Sequence, residues 1–505
     1  MNNPISTYRI QFHKDFNFDD FEKIIPYLQK LGVSTIYASP IFTSTPGSTH
    51  GYDGMNPHQI SPELGTEEQL KEISRRLKSL NLNWLQDIVP NHMAFHPNNL
   101  WLMDVLEKGR QSVYASFFDI DWESRLNNGK LLVPFLGAPI QEVVNNEIKL
   151  EYNGNRFVFN YFDSLYPLNP QSYAEILKSQ STDMQDVRQL QEQLEIINRV
   201  EDVTVLTQQW NEFLLQFSSL MKVEEVKAFV DACLTTMNNN KAQLKKLVDC
   251  QFYHLSYWKE TDEKINFRRF FTVNSLICLN IQDKPVFNYF HTYIKTLLDE
   301  GVFDGLRIDH IDGLYDPSLY LDQLRQLVAD DTYLVVEKIL EPEEKLKNDW
   351  PIQGSTGYDF LSMVNNLFTD KSGEKKIIKF YRKLIGDRRS VHDQILEKKG
   401  LILHQHMAGE LENVYQLFKD LNLIEEGGVD ENIKSAIAEF LIQCPVYRYY
   451  GNSFPLKGSE ADAVKTILNK ILGRKPALSQ AVDILEKALL IKPQKGDEQY
   501  NCKAL

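Results

Sequence analysis

The stretch FDGLRIDHIDGL at 303–314 places several charged side chains within an otherwise mostly apolar run. Side chains alternate between the two faces of a strand, so Arg307 and Asp309 share one face and Leu306 and Ile308 share the other. A cation beside a carboxylate stabilises the ionised form, which is the form that can act as a nucleophile. A structural ion pair is the commoner explanation of an isolated RxD pattern. The pattern alone therefore predicts either a buried ion pair or a nucleophile.

A second acidic residue follows another apolar run. Glu337 comes directly after Leu334, Val335 and Val336, which is typical of a strand buried on both faces. A carboxylate at the end of such a strand is partly removed from water, which favours the protonated form that a general acid requires. The alternative is a structural pair with Lys338 or with a neighbouring strand, and for Glu337 taken alone that is the better explanation.

Two further polar groups, in LQDIVPNH and STHGYD, lie at or near the ends of predicted strands in the first hundred residues. Their candidate side chains are Asp87, Asn91, His92, His50, Tyr52 and Asp53. Each of them alone is more often a hydrogen-bonded core or loop residue than a ligand. A tyrosine in such a loop either stacks on a sugar ring or packs within the loop.

The four groups together predict more than any one of them. In a barrel of parallel strands the C-terminal strand ends meet at one mouth, where barrel enzymes carry their catalytic residues. An ionised aspartate and a partly protonated glutamate on neighbouring strands are the pair used in glycoside hydrolysis or transfer.

The elements that must position these residues alternate between helix and strand. Apolar spacing predicts helices over 19–32 and 66–81, and β-branched runs predict strands over 33–40 and 83–89. The same rhythm resumes near residue 286. The fold class predicted is α/β, a (β/α)8-type TIM barrel that is incomplete, without strands 7 and 8, and that carries two large, mainly helical insertions.

Breaks in this rhythm predict four segments. Residues 1–92 form the first part of the catalytic barrel, and 93–265 form an inserted, largely helical subdomain. Residues 266–365 form the second part of the barrel, with both catalytic acids. Residues 366–505 form a helical insertion or subdomain.

The composition limits the class of partner and the compartment. With 43% apolar and 25% charged residues the chain has the composition of a soluble globular protein, and its net charge of −14 argues against nucleic acid or an anionic membrane as a partner. The five cysteines contain no CxxC pair, which predicts reduced thiols. The first residues lack the apolar region of a signal peptide, and a cytoplasmic location is expected.

LQDIVPNH, GLRIDH and VVEK resemble, in order, the first three signature segments of the α-amylase superfamily of glycoside hydrolases. Other stretches resemble the family of maltooligosyltrehalose synthases within it: STYRIQF, GSTHGYD, ELG, DVLEKGR, FFDIDW, EKINFRRFF, DGLRIDHIDGLYDP, VVEKILEPEEKL, DWPIQGSTGYDF and CPVYRYY. The resemblance runs from about residue 6 to about residue 450 and is most specific from 265 to 360.

This resemblance implies a role for each matching residue. Asp309 matches the nucleophile, Glu337 the general acid/base, and Arg307 the residue that orients and ionises the nucleophile. His92 and Tyr52 match residues that hold the sugar ring at the cleavage subsite. Residues of the pocket wall are matched by Asp87, Asn91, His50, Asp53 and His310.

The reaction implied is an intramolecular transglycosylation of maltooligosaccharides. The reducing-end α-1,4 bond is broken, and the released glucose attacks the enzyme-bound sugar to form an α,α-1,1 bond. Two inversions at one carbon predict carboxyl groups roughly 5–5.5 Å apart for Asp309 and Glu337. No cofactor and no metal is required, and the expected partner is the α-1,4-glucan substrate.

The sequence departs from the family pattern at the third carboxylate. The superfamily carries an aspartate in a His-Asp segment at the end of barrel strand 7, and in trehalose-forming members this segment comes well after CPVYRYY. The only His-Asp pair here, His392–Asp393, precedes CPVYRYY in a charged, helical context. A second polypeptide or a further C-terminal segment is therefore expected to complete the barrel, and the 505 residues alone are expected to have little activity.

Two other functions fit the same residues. One is an α-1,4-glucan hydrolase or a 4-α-glucanotransferase on the same barrel, against which the specific stretches from 265 to 360 speak. The other is a non-catalytic glucan-binding fragment, which the missing carboxylate favours and the pair of Asp309 and Glu337 disfavours.

Overall fold

The computed structural model describes residues 3–125, 127–342, 344–421, 423, 430–452 and 454–491. The terminal stretch KPQKGDEQYNCKAL lies outside these residues. The chain divides into two compact units: Met1–Glu260 with Ile265–Leu306, and Thr261–Lys264 with Arg307–Leu505.

The first unit contains both strands and helices in large number. Its strands are β1 (Thr7–Ile10), β2 (Thr35–Ala38), β3 (Phe42–Ser44), β4 (Gly54–Ile60), β5 (Asn83–Ile88), β6 (His92–Ala94), β7 (Leu131–Leu136), β8 (Lys149–Asn153), β9 (Arg156–Tyr161), β10 (Ser164–Pro167), β11 (Tyr253–Tyr257), β12 (Arg269–Phe270) and β13 (Val273–Cys278). Its helices are α1 (Phe18–Leu31), α2 (Glu67–Ser79), α3 (Leu100–Lys108), α4 (Ile140–Asn146), α5 (Pro170–Leu177), α6 (Gln185–Ile197), α7 (Val203–Leu220), α8 (Glu224–Asn239), α9 (Lys241–Asp249) and α10 (Lys284–Asp299). Strand β14 (Gly305–Ile308) contains the boundary between the units.

Strands β1, β2 and β5 pair in parallel and are connected through α1 and α2. Helix α1 begins with a capping box in which Asn17 and Asp20 each accept from the other's backbone N–H, and it ends at Gly32 in the left-handed conformation. Thr66 caps α2 by accepting from the backbone of Gln69, as its position before an acidic first turn predicts. Both predicted helices and both predicted strands are confirmed within two residues at either end.

Aromatic side chains fill the space between this sheet and its helices. Phe12 stacks on Trp84 with ring centres 5.9 Å apart, and Phe18 and Phe21 meet Phe12 edge-on. Trp84 also donates its backbone N–H to the carboxylate of Asp304, the residue just before β14. This contact gives the Asp304 carboxylate a structural role at the start of a strand. Aromatic burial of this extent stabilises the strands that hold the site residues.

The segment 93–265 contains both strands and helices, and its stretches KLLVPFL and EIKLEYNGNRFVFNYF form β7, β8 and β9. Strands β8, β9 and β10 form an antiparallel sheet, β7 and β11 pair in parallel, and α3 to α9 make up the helical part. The division of the chain into four segments stays a prediction.

The second unit contains fewer strands and is dominated by helices. Its elements after β14 are α11 (Pro317–Leu327), β15 (Tyr333–Val336), β16 (Gly354–Ser355), α12 (Tyr358–Asn366), α13 (Glu374–Ile385), α14 (Val391–Gln405), α15 (Ala408–Asp420), α16 (Asp430–Gln443), α17 (Gly458–Arg474) and α18 (Ser479–Leu490). The backbone N–H of Glu337 donates to Ile308, and β15 pairs in parallel with β16. A helical core forms around Leu411, Ile433 and Ile471.

Helices α12 and α13 differ from the other helices of this unit because they bury no residue. Phe368, which follows α12, is 91% exposed, and Ile377, Phe380 and Leu384 on α13 are each at least 67% exposed. An exposed apolar surface of this kind is unusual on a folded globular domain.

Parallel strands alternating with helices, together with long helical segments, confirm the predicted α/β barrel class. The described residues supply six parallel strands of this pattern, β1, β2, β5, β14, β15 and β16, whereas eight complete such a barrel. Within the described ranges, no helix has both the length and the apolar character needed to cross a bilayer.

Candidate active site

Strand β14 leads directly into the charged pair that the sequence indicates. Arg307 donates to Asp309 Oδ1 at 2.6 Å, and another guanidinium nitrogen of Arg307 lies 3.0 Å from Glu337 Oε1. The side chains of Arg307 and Asp309 are 5% and 8% exposed, and that of Glu337 is 24% exposed. One cation therefore holds two carboxyl groups together at the ends of two strands.

Glu337 has further contacts within the second unit. Its Oε2 accepts the backbone N–H of His310 at 3.0 Å, and the Tyr358 hydroxyl lies 3.5 Å from its Oε1. Burial, with the nearby charge of Glu337 as the next cause, raises the pKa of Tyr358, so this hydroxyl stays protonated and able to donate. Lys338 does not pair with Glu337 in the structure, because its ammonium binds Asp312 and Glu344 instead.

His310 begins the turn after the strand in an unusual backbone conformation. Its φ of 44° and ψ of 53° lie in the left-handed region, which costs free energy for a residue other than glycine. Its imidazole Nε2 lies 3.5 Å from the Tyr447 hydroxyl, and the two rings meet edge-on. His310 thus contributes its backbone N–H to the surroundings of Glu337, while its ring contacts Tyr447.

The first unit carries a separate group of predicted site residues around Asp87. This carboxylate is fully buried, and its Oδ2 accepts from the Tyr52 hydroxyl at 2.6 Å and from the Tyr37 hydroxyl at 3.1 Å. Arg9 in turn donates to the Tyr52 hydroxyl at 3.0 Å. These contacts fix the direction of the Tyr52 ring, which stands beside His50 with ring centres 5.9 Å apart.

His92 is held on both ring nitrogens. Its Nε2 lies 3.0 Å from the carbonyl oxygen of Tyr52 and its Nδ1 lies 3.1 Å from Asn91 Nδ2, a pattern that fits the neutral ring with its proton on Nε2. The Phe270 ring packs against it at 4.6 Å. Asn91 also accepts from Arg268 at 3.1 Å, so its amide links His92 to the half-buried ion pair of Arg268 and Asp119.

Asp53 and His50 organise the loop between β3 and β4. Asp53 accepts from Ser48 Oγ at 2.6 Å and from the Thr45 hydroxyl, and the His50 ring accepts the backbone N–H of Tyr52 at 3.0 Å. These contacts give both residues a loop-forming role that is independent of any ligand.

The structure brings the predicted residues together in two sets, one in each unit. The first set contains Tyr52, Asp87, Asn91, His92, His50 and Asp53, and the second contains Arg307, Asp309, His310 and Glu337. Tyr358, Phe270, Arg9 and Tyr37 also contact these residues and were not among those predicted. Tyr358, Phe270 and Arg9 stand in TGYDF, EKINFRRFF and STYRIQF, so the family resemblance of those stretches was a signal for them.

No group of three or more His, Cys, Asp or Glu side chains is arranged to hold a metal ion among the residues described. The four described cysteines are free, and burial raises the pKa of the Cys278 thiol, next to the site residue Asn91, to about 11.

Comparisons with known proteins support one superfamily. The profile of the α-amylase catalytic domain matches residues 21–160. A Mycobacterium tuberculosis protein provisionally named maltooligosyl trehalose synthase is 33% identical over 380 residues, which are 74% of this chain and 40% of that protein.

Two solved structures agree with this match. A glycosyltrehalose synthase of strain DSM5389 is 34% identical, with a TM-score of 0.70 over 96% of this chain and 56% of its own. The maltooligosyltrehalose synthase of Arthrobacter ramosus is 27% identical, with a TM-score of 0.75 over 99% of this chain and 54% of its own.

The barrel strands and their carboxylate pair define a member of the α-amylase superfamily. Within it, the chain belongs to the family of maltooligosyltrehalose synthases. The chain spans 40% of the length of the curated relative and little more than half of each of the two solved chains.

Proposed function

We propose that the protein carries out retaining glycosyl transfer on α-1,4-glucans, and specifically the conversion of the reducing-end α-1,4 bond of maltooligosaccharides to an α,α-1,1 bond. The observation that carries this proposal is the single guanidinium of Arg307 bound to both Asp309 and Glu337. Two carboxylates held close together are the arrangement of retaining glycosidases, whose carboxyl groups lie roughly 5–5.5 Å apart. The names of the relatives support the trehalose-forming reaction.

In the first step Asp309 attacks the anomeric carbon of the sugar next to the reducing-end glucose. The bond between this anomeric carbon and the oxygen of the reducing-end glucose breaks as Glu337 gives its proton to that oxygen. A glycosyl ester on Asp309 results. Arg307 keeps Asp309 ionised for this attack, because its guanidinium donates directly to the carboxylate.

In the second step the released glucose turns and its anomeric hydroxyl attacks the same carbon. Glu337, now ionised, takes the hydroxyl proton, the ester bond to Asp309 breaks, and the new bond is α,α-1,1. Water competes with the glucose at this stage, so the site must exclude it.

For the sugar ring we propose contacts from Tyr52 and His92. The direction of the Tyr52 ring is fixed by Asp87 and Arg9, which suits a stacking platform. Since both nitrogens of His92 are already hydrogen-bonded, a sugar hydroxyl would replace the contact of Nε2 with the Tyr52 carbonyl oxygen. His50, Asp53, Asn91, Asp87 and His310 act as pocket-wall residues in this proposal.

The proposal is tested by trapping the glycosyl-enzyme. α-Maltosyl fluoride carries a leaving group that needs no proton, so Glu337→Gln forms the ester but lacks the base that removes it. Intact-protein mass spectrometry is expected to show one added maltosyl group on Glu337→Gln, located on Asp309 by peptide mapping. Asp309→Asn serves as the matched control and is expected to show none. Absence of the adduct from Glu337→Gln contradicts the retaining mechanism.

The product formed with added glucose separates the possible activities. With α-maltosyl fluoride and glucose, a trehalose-forming enzyme produces a non-reducing trisaccharide with an α,α-1,1 bond, visible by NMR of the anomeric protons. Rapid formation of this product would contradict the expectation that the 505 residues alone have little activity. Maltotriose identifies a 4-α-glucanotransferase and maltose a hydrolase. Binding of maltopentaose without fluoride release identifies a glucan-binding protein.

A further inference from the structure

The turn after Asp309 contains a carboxylate for which the proposed reaction has no use. Asp312 has a side chain only 9% exposed, and its Oδ2 accepts from Lys338 Nζ at 3.0 Å. Lys338 is 2% exposed and lies 2.7 Å from Glu344 Oε1 as well. A buried ammonium between two carboxylates requires all three groups to stay in place, because an unpaired charge in such surroundings is costly.

A second segment of the same unit binds this turn. The Tyr450 hydroxyl donates to Asp312 Oδ1, and Arg448 donates to the backbone carbonyl oxygens of Asp312, Leu314 and Tyr315. The guanidinium of Arg448 lies 5.3 Å from the centre of the Tyr450 ring, within the range of a cation–π contact. Two residues of CPVYRYY therefore fix the turn. Arg448 binds the backbone carbonyl oxygens of the turn, and Tyr450 binds the carboxylate of Asp312.

The contacts of Asp312 lead back to Glu337 by two routes. Lys338 follows Glu337 directly in the chain, so the bond from Lys338 to Asp312 restrains the backbone that carries Glu337. On the other route, the carbonyl oxygen of His310 accepts from Gly313 at 2.9 Å, and the backbone N–H of His310 donates to Glu337. Together these contacts form a closed ring that includes the left-handed residue His310.

We propose that Asp312, Lys338 and Tyr450 are positioning residues that hold the carboxylate of Glu337 in place for proton transfer to the leaving oxygen. This inference rests on the proposed role of Glu337 as the general acid/base. Proton transfer requires a donor within hydrogen-bond reach, and small displacements of a catalytic group lower the rate steeply. Without this closed ring of contacts, Glu337 keeps its contact with Arg307, but the backbone around Glu337 is no longer held in place.

Two substrates with different leaving groups test this role. Fluoride leaves α-maltosyl fluoride without a proton, whereas the sugar oxygen of maltopentaose needs one. Tyr450→Phe and Asp312→Asn are expected to lower kcat/KM for maltopentaose about tenfold or more, since general acid catalysis contributes 10²–10⁴-fold. For fluoride release from α-maltosyl fluoride, the same variants are expected to stay within about twofold of the unmodified protein.

Conservative variants and a matched control complete the test. Lys338→Arg is expected to retain more of the maltopentaose rate than Lys338→Met, because it keeps a cation for Asp312. Glu412→Gln is the control, since it makes the same carboxylate-to-amide change in the same unit, and Glu412 binds Lys434 and Gln416, which are not members of this ring of contacts. Equal losses with both substrates, or no loss with maltopentaose, overturn the positioning role. If the unmodified protein releases no fluoride, the proposed function fails, and the positioning role fails with it.

Discussion

Arg307 binds Asp309 through a buried hydrogen bond of 2.6 Å, and the same guanidinium reaches Glu337 at 3.0 Å. An ion pair of only two groups was the simplest explanation of RxD in the sequence. The structure instead joins three charged groups, in which one cation balances two acids. Such an arrangement keeps two like charges close together while limiting their repulsion.

Replacing Arg307 by lysine is expected to lower the rate of glycosyl-enzyme formation about 100-fold or more. Lysine carries a point charge and cannot present two nitrogens in a fixed fork to Asp309 and Glu337 at the same time. Fluoride release from α-maltosyl fluoride measures this step. Arg325→Lys is the matched control, because Arg325 binds the backbone carbonyl oxygens of Pro351 and Thr332. A rate within threefold of the unmodified protein contradicts the expectation.

Glu107 is expected to destabilise the folded protein at neutral pH. It is 1% exposed, and burial raises its pKa although Arg156 lies 3.5 Å away. Because the folded state binds the proton more tightly than the unfolded state, stability falls as the pH rises above the ordinary glutamate range. Glu107→Gln should therefore raise the free energy of unfolding by about 1 kcal/mol at pH 7.5 and leave it nearly unchanged at pH 4.

Urea denaturation at the two pH values measures this difference. Glu107→Ala is the control for lost packing, and it is expected to destabilise at both pH values because it leaves a cavity. An equal effect of Glu107→Gln at pH 4 and pH 7.5 would rule out the protonation of Glu107 as the cause.

His291 is expected to make the first unit sensitive to acid. Its ring is fully buried on α10, its Nδ1 lies 2.8 Å from the Phe287 carbonyl oxygen, and burial lowers its pKa from 6.5 to about 4. The neutral ring is therefore favoured in the folded state, so its contribution is present above about pH 6.5 and lost as the pH falls towards 4. A shift of this size corresponds to about 3 kcal/mol.

His291→Phe removes the titrating group and should flatten the dependence of stability on pH between 6.5 and 4. The exposed His392 offers a control, and His392→Phe should leave the slope unchanged. Thermal unfolding followed by circular dichroism at steps of pH measures both. Identical slopes for His291→Phe and the unmodified protein would show that other groups cause the acid sensitivity.

The apolar face of α13 is expected to cause self-association without contributing to the core. Changing Ile377, Phe380 and Leu384 together to glutamine should reduce association, since these side chains are largely exposed. The melting temperature should change little, because surface substitutions usually alter stability by less than about 0.5 kcal/mol each. Sedimentation velocity measures the association. As a control, Ile467→Gln in the buried helical core should lower the melting temperature clearly.

The local parts of the fold were predictable because their signals are local. Thr66 before an acidic turn, Gly32 after an apolar stripe and the run before Glu337 each determine one end of an element. The contact of Arg307 with Asp309 likewise follows from the two-residue period of a strand.

The partners of Asp312 were not predictable for the opposite reason. Lys338 and Tyr450 lie 26 and 138 residues away in the chain. Both stand in stretches that resemble the family, VVEKILEPEEKL and CPVYRYY, but neither their spacing nor their residue type pairs them with Asp312. The left-handed backbone of His310 also lacks the usual glycine or asparagine signal, because long-range contacts and not the residue type impose it.

Helices α12 and α13 bury none of their side chains, and this has a consequence for amide hydrogen exchange. Helix α12 has 9 residues and α13 has 12. A helix of about 12 residues or fewer is only marginally stable in water when it has no tertiary packing. Their backbone hydrogen bonds can open without exposing any core of the second unit. Their amides will therefore exchange by local opening, at free energies far below those of α17, whose buried face requires unfolding of the surrounding helices.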